Sequence, residues 1–222
     1  KTRKVTHVAH GQGEVKEVAS NRRVSRNPDG TVKAMRGSSC TDPVLRAMPE
    51  GIIDPMLKTV AFYDGEEKIV SSHYYATHPM SYYGDGMVTS DFAGLARKKR
   101  QAEEPQCTHI YFTGCAGNIS AGKYNDGSHP VRAELTEKMY AGILRSEATL
   151  KPVPLKNIAW RTADLMPPAN KKYDAEALAK EIDNSDNSVV NRNRPSYTLS
   201  WLRRVEKGTP IVLSSLMVND IS

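Results

Sequence analysis

The residues best suited to chemistry lie in a glycine-rich stretch at 114–127, GCAGNISAGKYNDG. Its glycine spacing before Lys123 matches a phosphate-binding loop, but Tyr124 stands where that loop needs Ser or Thr, and turn residues follow instead of a helix. Ser120 also partly matches a nucleophile elbow, although Asn118 replaces the first glycine of that motif. A third interpretation is a rigid loop that presents Ser120 and backbone N–H groups to a site, and a fourth is a turn without chemistry.

Histidines are the second group of candidate residues. His78 stands at the end of a predicted strand, directly before Pro79, where an imidazole is suited to metal binding or acid–base chemistry or has a structural role. His73 lies five residues earlier, so an extended strand would place it on the opposite face from His78. His7 and His10 are three residues apart, but the flanking sequence predicts no helix that would align them.

The first part of the chain predicts a hairpin, two helices and a further strand. The segments LKTVAFYD and KIVSSHYYATHP have strand patterns and are joined by the turn DGEE. Asp91 can cap a helix that ends near Glu103, and THIYFTG then has the pattern of a buried strand. After Pro130, apolar residues recur every four positions and predict a helix packed on a sheet.

The last third is predicted as the strand NIAWRTADL, a helix that begins at Asp174, the polar loop DNSDNSVVNRNRP, a helix around SWLRRVEKG and the strand PIVLSSLMV. Strands and helices interleave without a strict βαβ rhythm. The sequence therefore predicts a mixed α/β fold, with a partly antiparallel sheet flanked by helices, in a single and incomplete domain rather than two.

Composition narrows the classes of partner. The 222 residues are 39% hydrophobic and carry a net charge of +6, and no apolar run is long enough to span a bilayer. The basic run 97–100 fits the solvated face of a helix, so we expect no nucleic-acid partner. Cys40, Cys107 and Cys115 have no regular spacing, so we expect free buried thiols and no cysteine metal site.

Four short motifs together resemble the neutral, non-lysosomal ceramidases. The His-Pro-Met-Ser at 78–81 is similar to that family's His-Pro-Thr-Ser, and Ser-Asp-Phe-Ala-Gly at 90–94 to its Ser-x-Asp-x-x-Gly. Asn-Arg-Arg at 21–23 resembles its Asn-Arg-Ser, and Gly-Asn-Ile-Ser at 117–120 its Gly-Asp-Val-Ser. The order of the motifs agrees over about half the chain. By this resemblance, residues 1–222 are the central part of a ceramidase-like catalytic domain, truncated at both ends.

The resemblance implies a zinc-dependent amidase that cleaves N-acylsphingosine to a fatty acid and sphingosine. That family binds zinc through two His, one Glu and one Tyr, and only His78 matches one of these ligands. The other ligands are expected outside this chain. We therefore expect residues 1–222 alone to bind zinc weakly and to be inactive.

Further roles follow from the same resemblance. Ser120 matches the residue proposed as the family's nucleophile, while Gly117 and Asn118 precede it in the loop expected to contact substrate. Because Asn118 replaces an acidic residue, the loop lacks a base, so metal-activated water is the expected nucleophile and Ser120 a donor or positioning residue. Arg22 matches an arginine on the substrate side of the site, and its alternative is a surface ion pair.

The substrate stays open at this stage. One alternative is a related hydrolase that uses the same zinc ligands to cleave other amides or esters. Another is a non-catalytic lipid- or carbohydrate-binding module that binds through Tyr74, Tyr75, Tyr82 and Tyr83. The resemblance implies a lipid-like small-molecule substrate and a secreted or periplasmic location. The sequence does not indicate an oligomeric state.

Overall fold

A computed structural model describes residues 2–220 of the chain. These residues fall into two compact units, one that ends at Leu155 and one that begins at Lys156. The sequence predicts one domain. None of the described helices has the length and apolar character needed to cross a bilayer.

The first unit contains a mixed five-stranded sheet with helices packed against it. Its strands are β1 (His7–Glu14), β2 (Ser20–Asn21), β3 (Val24–Arg26), β4 (Val32–Met35), β5 (Met56–Asp64), β6 (Glu67–Tyr75), β7 (Thr108–Thr113), β8 (Ile119–Ser120) and β9 (Val153–Pro154). Its helices are α1 (Pro43–Ala47), α2 (Asp91–Glu103) and α3 (His129–Glu147). The main sheet has the order β7-β6-β5-β1-β9, in which only β6 and β7 run parallel. This arrangement confirms the predicted mixed α/β class.

The predicted hairpin and the predicted core helix are both present. Strands β5 and β6 pair through a tight turn in which Gly65 has a φ of 64°, a left-handed conformation that favours glycine. On α3, the apolar residues spaced by four are all buried, namely Val131, Leu135, Met139 and Ile143. They join one hydrophobic cluster with residues of α2 and the sheet. Burial of this stripe against the sheet is what stabilises α3.

Strand β1 was not predicted, and its glycines explain why. A Cβ on Gly11 would lie 2.4 Å from the carbonyl oxygen of Ser146, and one on Gly13 would lie 2.4 Å from the nitrogen of the same residue. Only glycine therefore lets α3 approach this strand so closely. These glycines also remove the apolar alternation by which a strand is recognised in sequence.

The prediction that THIYFTG is a buried strand was wrong. Strand β7 lies at the edge of the sheet, and Ile110 and Phe112 are 39% and 44% exposed. Only the face that carries His109 is covered, because this face packs against α2. An apolar run thus indicated a strand correctly but did not reveal which of its faces is covered.

Three short pairings complete the first unit and build its loops. Strands β3 and β4 form a two-stranded ribbon, and β2 pairs antiparallel with β8. His78, just beyond the end of β6, forms an isolated parallel bridge with Ser120. These contacts join loops from three distant parts of the sequence at one end of the main sheet.

The second unit consists of two strands and two helices. They are β10 (Ile158–Leu165), α4 (Ala175–Asp183), α5 (Val189–Glu206) and β11 (Ile211–Val218), and the two strands pair antiparallel along their whole length. The prediction of a polar loop up to Pro195 was wrong, because α5 begins at Val189 behind the N-cap Ser188 and includes the proline. The polar composition of residues 183–195 does not indicate a helix, and the buried residue Leu199 of α5 comes after that stretch.

The cysteine prediction was correct for two of the three residues. Cys40 and Cys107 are free and buried, whereas Cys115 is free and exposed in the loop after β7. Cys115 is exposed because it lies in this loop and not in the core, where free thiols are usually found.

Candidate active site

His78 is held by the backbone of strand β8. Its amide N–H donates to the carbonyl oxygen of Ile119 at 3.1 Å, and its ring Nδ1 lies 2.9 Å from the same oxygen. A carbonyl oxygen only accepts, so Nδ1 carries the proton and the neutral ring keeps Nε2 as a free lone pair. This arrangement, in which a backbone carbonyl orients the ring, is typical of metal-ligating histidines.

The pairing of β2 with β8 brings the other predicted residues to His78. Ser20 pairs with Ser120, and the amide of Arg22 donates to the carbonyl oxygen of Asn118 at 2.9 Å. Asn118 is exposed, whereas the Nε of Arg22 is buried without a hydrogen-bond partner in the described structure. His78, Ser120, Asn118 and Arg22 thus lie on adjoining backbone segments.

Ser120 is enclosed within its loop. The residue is 1% exposed, and its hydroxyl donates to the carbonyl oxygen of Gly37 at 2.8 Å. Its own carbonyl oxygen accepts from the hydroxyl of Ser20 at 3.0 Å. The hydroxyl proton therefore goes to a main-chain carbonyl and not to a side-chain base, which leaves the serine unactivated.

Glycine is required at some positions of the loop and not at others, for different physical reasons. A Cβ on Gly122 would lie 2.1 Å from the carbonyl oxygen of Gly37, so this glycine is required for the loop to pack against the segment after β4. Gly127 has a φ of 85° in the turn before α3. Gly117 is exposed, has no positive φ, and has nothing within 4 Å of its Cβ position, so the packing does not require it.

Lys123 explains why the loop does not have the geometry of a phosphate site. Its Nζ donates to the carbonyl oxygens of Arg46 and Met48, each at 2.8 Å, at the end of α1. No helix starts directly after this lysine, since the next described helix, α3, begins only at His129. The lysine charge stabilises a helix C-terminus and is directed away from any ligand of the loop.

A second cation under the site was not predicted. Arg36 is fully buried, and its guanidinium donates to main-chain carbonyl oxygens of Leu45, Met48, Asn21, Pro49 and Glu50, at 2.7–3.4 Å. Burial lowers the pKa of Arg36 from its ordinary value. By joining strand β2 to the 45–50 segment, Arg36 fixes the strand that directly precedes Arg22.

Asn125 is a further residue that sequence patterns missed. Its side chain is fully buried and donates to the carbonyl oxygens of Ser38 at 2.8 Å and Ser81 at 2.6 Å, while its own oxygen accepts from the amide of Gly127 at 2.9 Å. In the sequence it stands in Asn-Asp-Gly, which indicates a turn. In the structure it connects the loop of Ser120 to the loop that follows His78.

Two grooves border this group of residues. One, of about 580 Å³, includes Asn118 and is lined mainly by apolar residues, namely Ile52, Ile53, Met56, Tyr74, Tyr75 and Ile119. The other, of about 610 Å³, is formed by the 79–91 loop and Arg132. That loop is anchored to α3, because Arg132 donates to the hydroxyl of Ser81 at 2.9 Å.

A separate polar cluster lies inside the sheet–helix interface. His73 is buried, with Nδ1 lying 2.9 Å from the hydroxyl of Thr59 and Nε2 lying 3.0 Å from Nδ1 of His109. The Nε2 of His109 lies 3.1 Å from a carboxylate oxygen of Glu104, and Ser146 donates to Thr59 at 2.7 Å. Burial lowers the pKa of His73 to about 3 and also lowers that of His109.

The charges of this cluster balance. Lys68 lies 2.8 Å from Glu104 and 2.7 Å from Glu147, and Arg100 lies 2.7 Å and 2.6 Å from the same two carboxylates. Burial alone would raise the pKa of Glu147, but the hydrogen bonds from Lys68 and Arg100 outweigh it and lower the pKa to about 2. Two half-buried cations and two half-buried anions therefore lie together beside the two buried imidazoles.

By distance alone this cluster is a possible metal site. One ligand atom from each of His73, His109 and Glu147 lies within 4.8 Å of the others, and so do ligand atoms of Glu104, Cys107 and His109. However, both imidazoles are hydrogen-bonded at both nitrogens, and the two carboxylates already have cationic partners. A divalent ion would displace these contacts and leave excess positive charge buried. We therefore interpret the cluster as a hydrogen-bond network.

Comparison with known proteins was made at the levels of sequence and of fold. No protein-family model matches the sequence, and no curated protein matches it. The crystal structure of neutral ceramidase from Pseudomonas aeruginosa matches with a TM-score of 0.50 and 17% identity, over 72% of this chain and 25% of that chain. A solved structure of a ceramidase complexed with C2 matches with a TM-score of 0.49 and 16% identity over the same shares.

The chain shares the fold of part of neutral ceramidase. It spans about a quarter of the length of the ceramidase structures that it matches. The fold match agrees with the family that the four sequence motifs resemble. Among the described residues, no other His, Cys, Asp or Glu completes a three-ligand group around His78.

Proposed function

We propose that residues 1–222 form part of the active site of a ceramidase-like hydrolase, a zinc-dependent amidase that acts on a lipid amide. The observation that supports this proposal most strongly is the meeting of His78, Ser120, Asn118 and Arg22 at one end of the sheet. The sequence motifs that contain these residues resemble those of the neutral ceramidases. The likeness to neutral ceramidase concerns the fold, and the activity is our inference from the site.

His78 fits the part of a zinc ligand. The carbonyl of Ile119 fixes its ring and its tautomer, so Nε2 is available to a metal. Zinc, when bound, would polarise the amide carbonyl and make water a better nucleophile at neutral pH. One imidazole does not complete a tetrahedral site, so we infer that the remaining ligands lie outside these residues.

Ser120 and Arg22 fit supporting parts. The hydroxyl of Ser120 has no side-chain base and donates to Gly37, so we infer that it positions the loop or donates to the developing oxyanion rather than attacking. The Nε of Arg22 is a buried donor without a partner, on the residue whose main-chain amide donates to Asn118. A buried donor without a partner costs free energy, which a polar group of the substrate would recover.

The groove that includes Asn118 favours a substrate with a large apolar part. Its walls carry isoleucine, methionine and tyrosine side chains, while Asp54 and Lys58 are its charged members. Burial of an acyl chain there would contribute about 0.8 kcal/mol per CH₂ group. We therefore propose a lipid amide of the N-acylsphingosine type as the substrate class.

The test is a hydrolysis assay on a full-length protein that contains these residues, loaded with zinc. We expect release of fatty acid from N-acylsphingosine, and slower release from a matched amide with a two-carbon acyl group. His78→Ala should lower the rate by at least about 100-fold, because loss of a ligand should cost more than loss of its supporting partner. His10→Ala, an exposed histidine on β1, is the matched control and should keep the rate. Failure of the zinc-loaded protein to hydrolyse any N-acyl amide would contradict the proposal.

A further inference from the structure

The buried cluster around His73 and His109 has a directed chain of hydrogen bonds. The hydroxyl of Ser146 donates to Thr59, so the proton of Thr59 is available for Nδ1 of His73. His73 then carries its proton on Nε2 and donates to Nδ1 of His109. His109 carries its proton on Nε2 and donates to Glu104. In this assignment both rings are neutral and each of these contacts has one donor and one acceptor.

The rings are surrounded by charged and titratable groups from every packed element. Strand β6 contributes Lys68, α2 contributes Arg100, and α3 contributes Glu147. Glu104 directly follows α2, and the buried thiol of Cys107 precedes β7. Tyr63 of β5 lies nearby, and its pKa is raised by burial. Burial also raises the pKa of Cys107 to about 12, so this thiol stays neutral. The two cations already neutralise the two carboxylates, and any proton added to a ring is excess charge.

The geometry of the pair also limits how many protons it can hold. With one added proton, His109 can donate from both nitrogens if His73 shifts its proton to Nδ1, and the bond between the rings survives. With two added protons, N–H groups of both rings face each other across 3.0 Å, and the bond between them is lost. Protonation therefore acts on the middle contact of a chain of hydrogen bonds that runs from Ser146 on α3, through Thr59, His73 and His109 of the sheet, to Glu104 directly after α2.

We propose that the His73–His109 pair is an acid-sensitive latch that holds α2 and α3 on the sheet while both rings are neutral. Its function is to keep the first unit closed at neutral pH and to release this interface as the pH falls. The latch depends only on the core of the first unit, so it does not rest on the proposed hydrolase activity.

The direction of the pH effect follows from proton binding. A histidine has a pKa of about 6.5 in an unfolded chain, whereas burial lowers the folded pKa of His73 to about 3. Between these values the unfolded chain binds more protons, so stability is complete above about pH 6.5 and declines as the pH falls. From pH 7.5 to pH 5, the unfolding equilibrium constant should rise roughly 30-fold on account of His73. The lowered pKa of His109 should raise it further in the same direction. Most carboxylates stay ionised in both states over this range.

The experiment is urea unfolding of residues 1–222 at pH 7.5 and pH 5, followed by circular dichroism. We expect wild type and the control variant His7→Gln/His10→Gln to show the same large rise in the unfolding constant. The variant His73→Gln/His109→Gln should be less stable at pH 7.5 but should lose most of that rise. An undiminished pH dependence in this variant would overturn the latch.

A second measurement covers the case in which the core variant does not fold. The ¹⁵N NMR spectrum of the histidine rings in wild type should show two rings with pKa values below the ordinary histidine value, each protonated at Nε2 when neutral, and His73 should stay neutral at pH 5. Ordinary titration of all six histidines near pH 6.5 would contradict the latch. Zinc titration should leave the two neutral rings unchanged, and loss of their N–H signals at stoichiometric zinc would show a metal site instead.

Discussion

At the scale of single residues, the hydrogen bond from Ser120 to Gly37 distinguishes a role as nucleophile from a role as oxyanion donor. A serine nucleophile needs a base within hydrogen-bond reach, and an oxyanion donor needs only a proton that can be redirected. The hydroxyl of Ser120 donates to the carbonyl oxygen of Gly37, and the acidic residue expected two positions earlier is Asn118. The first role therefore lacks its base, and the second requires that the hydroxyl proton be redirected from Gly37 to the substrate.

Ser120→Ala distinguishes these roles in a full-length protein. We expect a loss of turnover of about 10²–10³-fold, the range for removal of one oxyanion donor, and no burst of the first product in wild type. Pre-steady-state kinetics with a chromogenic amide measures both quantities. A burst in wild type together with complete inactivity of the alanine variant would establish a covalent serine mechanism instead.

At the scale of elements, the close approach of backbone segments excludes a Cβ atom at certain positions, where only glycine fits. Gly122 lies against Gly37, and Gly11 and Gly13 lie against α3, with Cβ positions 2.1–2.4 Å from main-chain atoms. These contacts hold the loop of Ser120 against the segment after β4, and they hold β1 against α3. The site thus depends on packing between elements that contribute no catalytic side chain.

Gly122→Ala tests this dependence, with Gly117→Ala as a matched control in the same loop. The first variant should lose about 1–3 kcal/mol of unfolding free energy, because a methyl group would overlap the carbonyl oxygen of Gly37. The second should stay within about 0.5 kcal/mol of wild type, since its Cβ position is open. Denaturant unfolding compares the two, and equal stability of both variants would show that the packing is wrongly assigned.

Elements with strong periodicity could be predicted from the sequence, and elements held by tertiary contacts could not. Helix α3 and the β5–β6 hairpin follow from apolar spacing and a turn signal. His78, Ser120, Asn118 and Arg22 could be named because their motifs are short and ordered. Arg36 and Asn125 bind backbone carbonyls from distant segments, and no local pattern distinguishes such residues from exposed ones. The start of α5 was missed because its first turn is polar.

At the scale of the whole molecule, the two polar centres of the first unit lie at different places in the sheet. His78 follows the end of β6, where loops from 21–23, 36–40 and 114–127 meet. The His73–His109 pair lies under the helices with its charges balanced. The chain spans a quarter of the ceramidase structure that it matches. The proposed zinc ligand, His78, belongs to the first centre, and we propose a structural role for the second.

Zinc analysis of three variants tests this assignment most directly. A full-length protein that contains residues 1–222 should bind about one zinc ion, measured by elemental analysis after dialysis, because the resemblance implies a single four-ligand site. His73→Gln, in the folded fraction at pH 7.5, and His10→Ala should both retain it. His78→Ala should lose most of the bound zinc. Undiminished zinc in His78→Ala, or its loss in His73→Gln, would contradict the assignment.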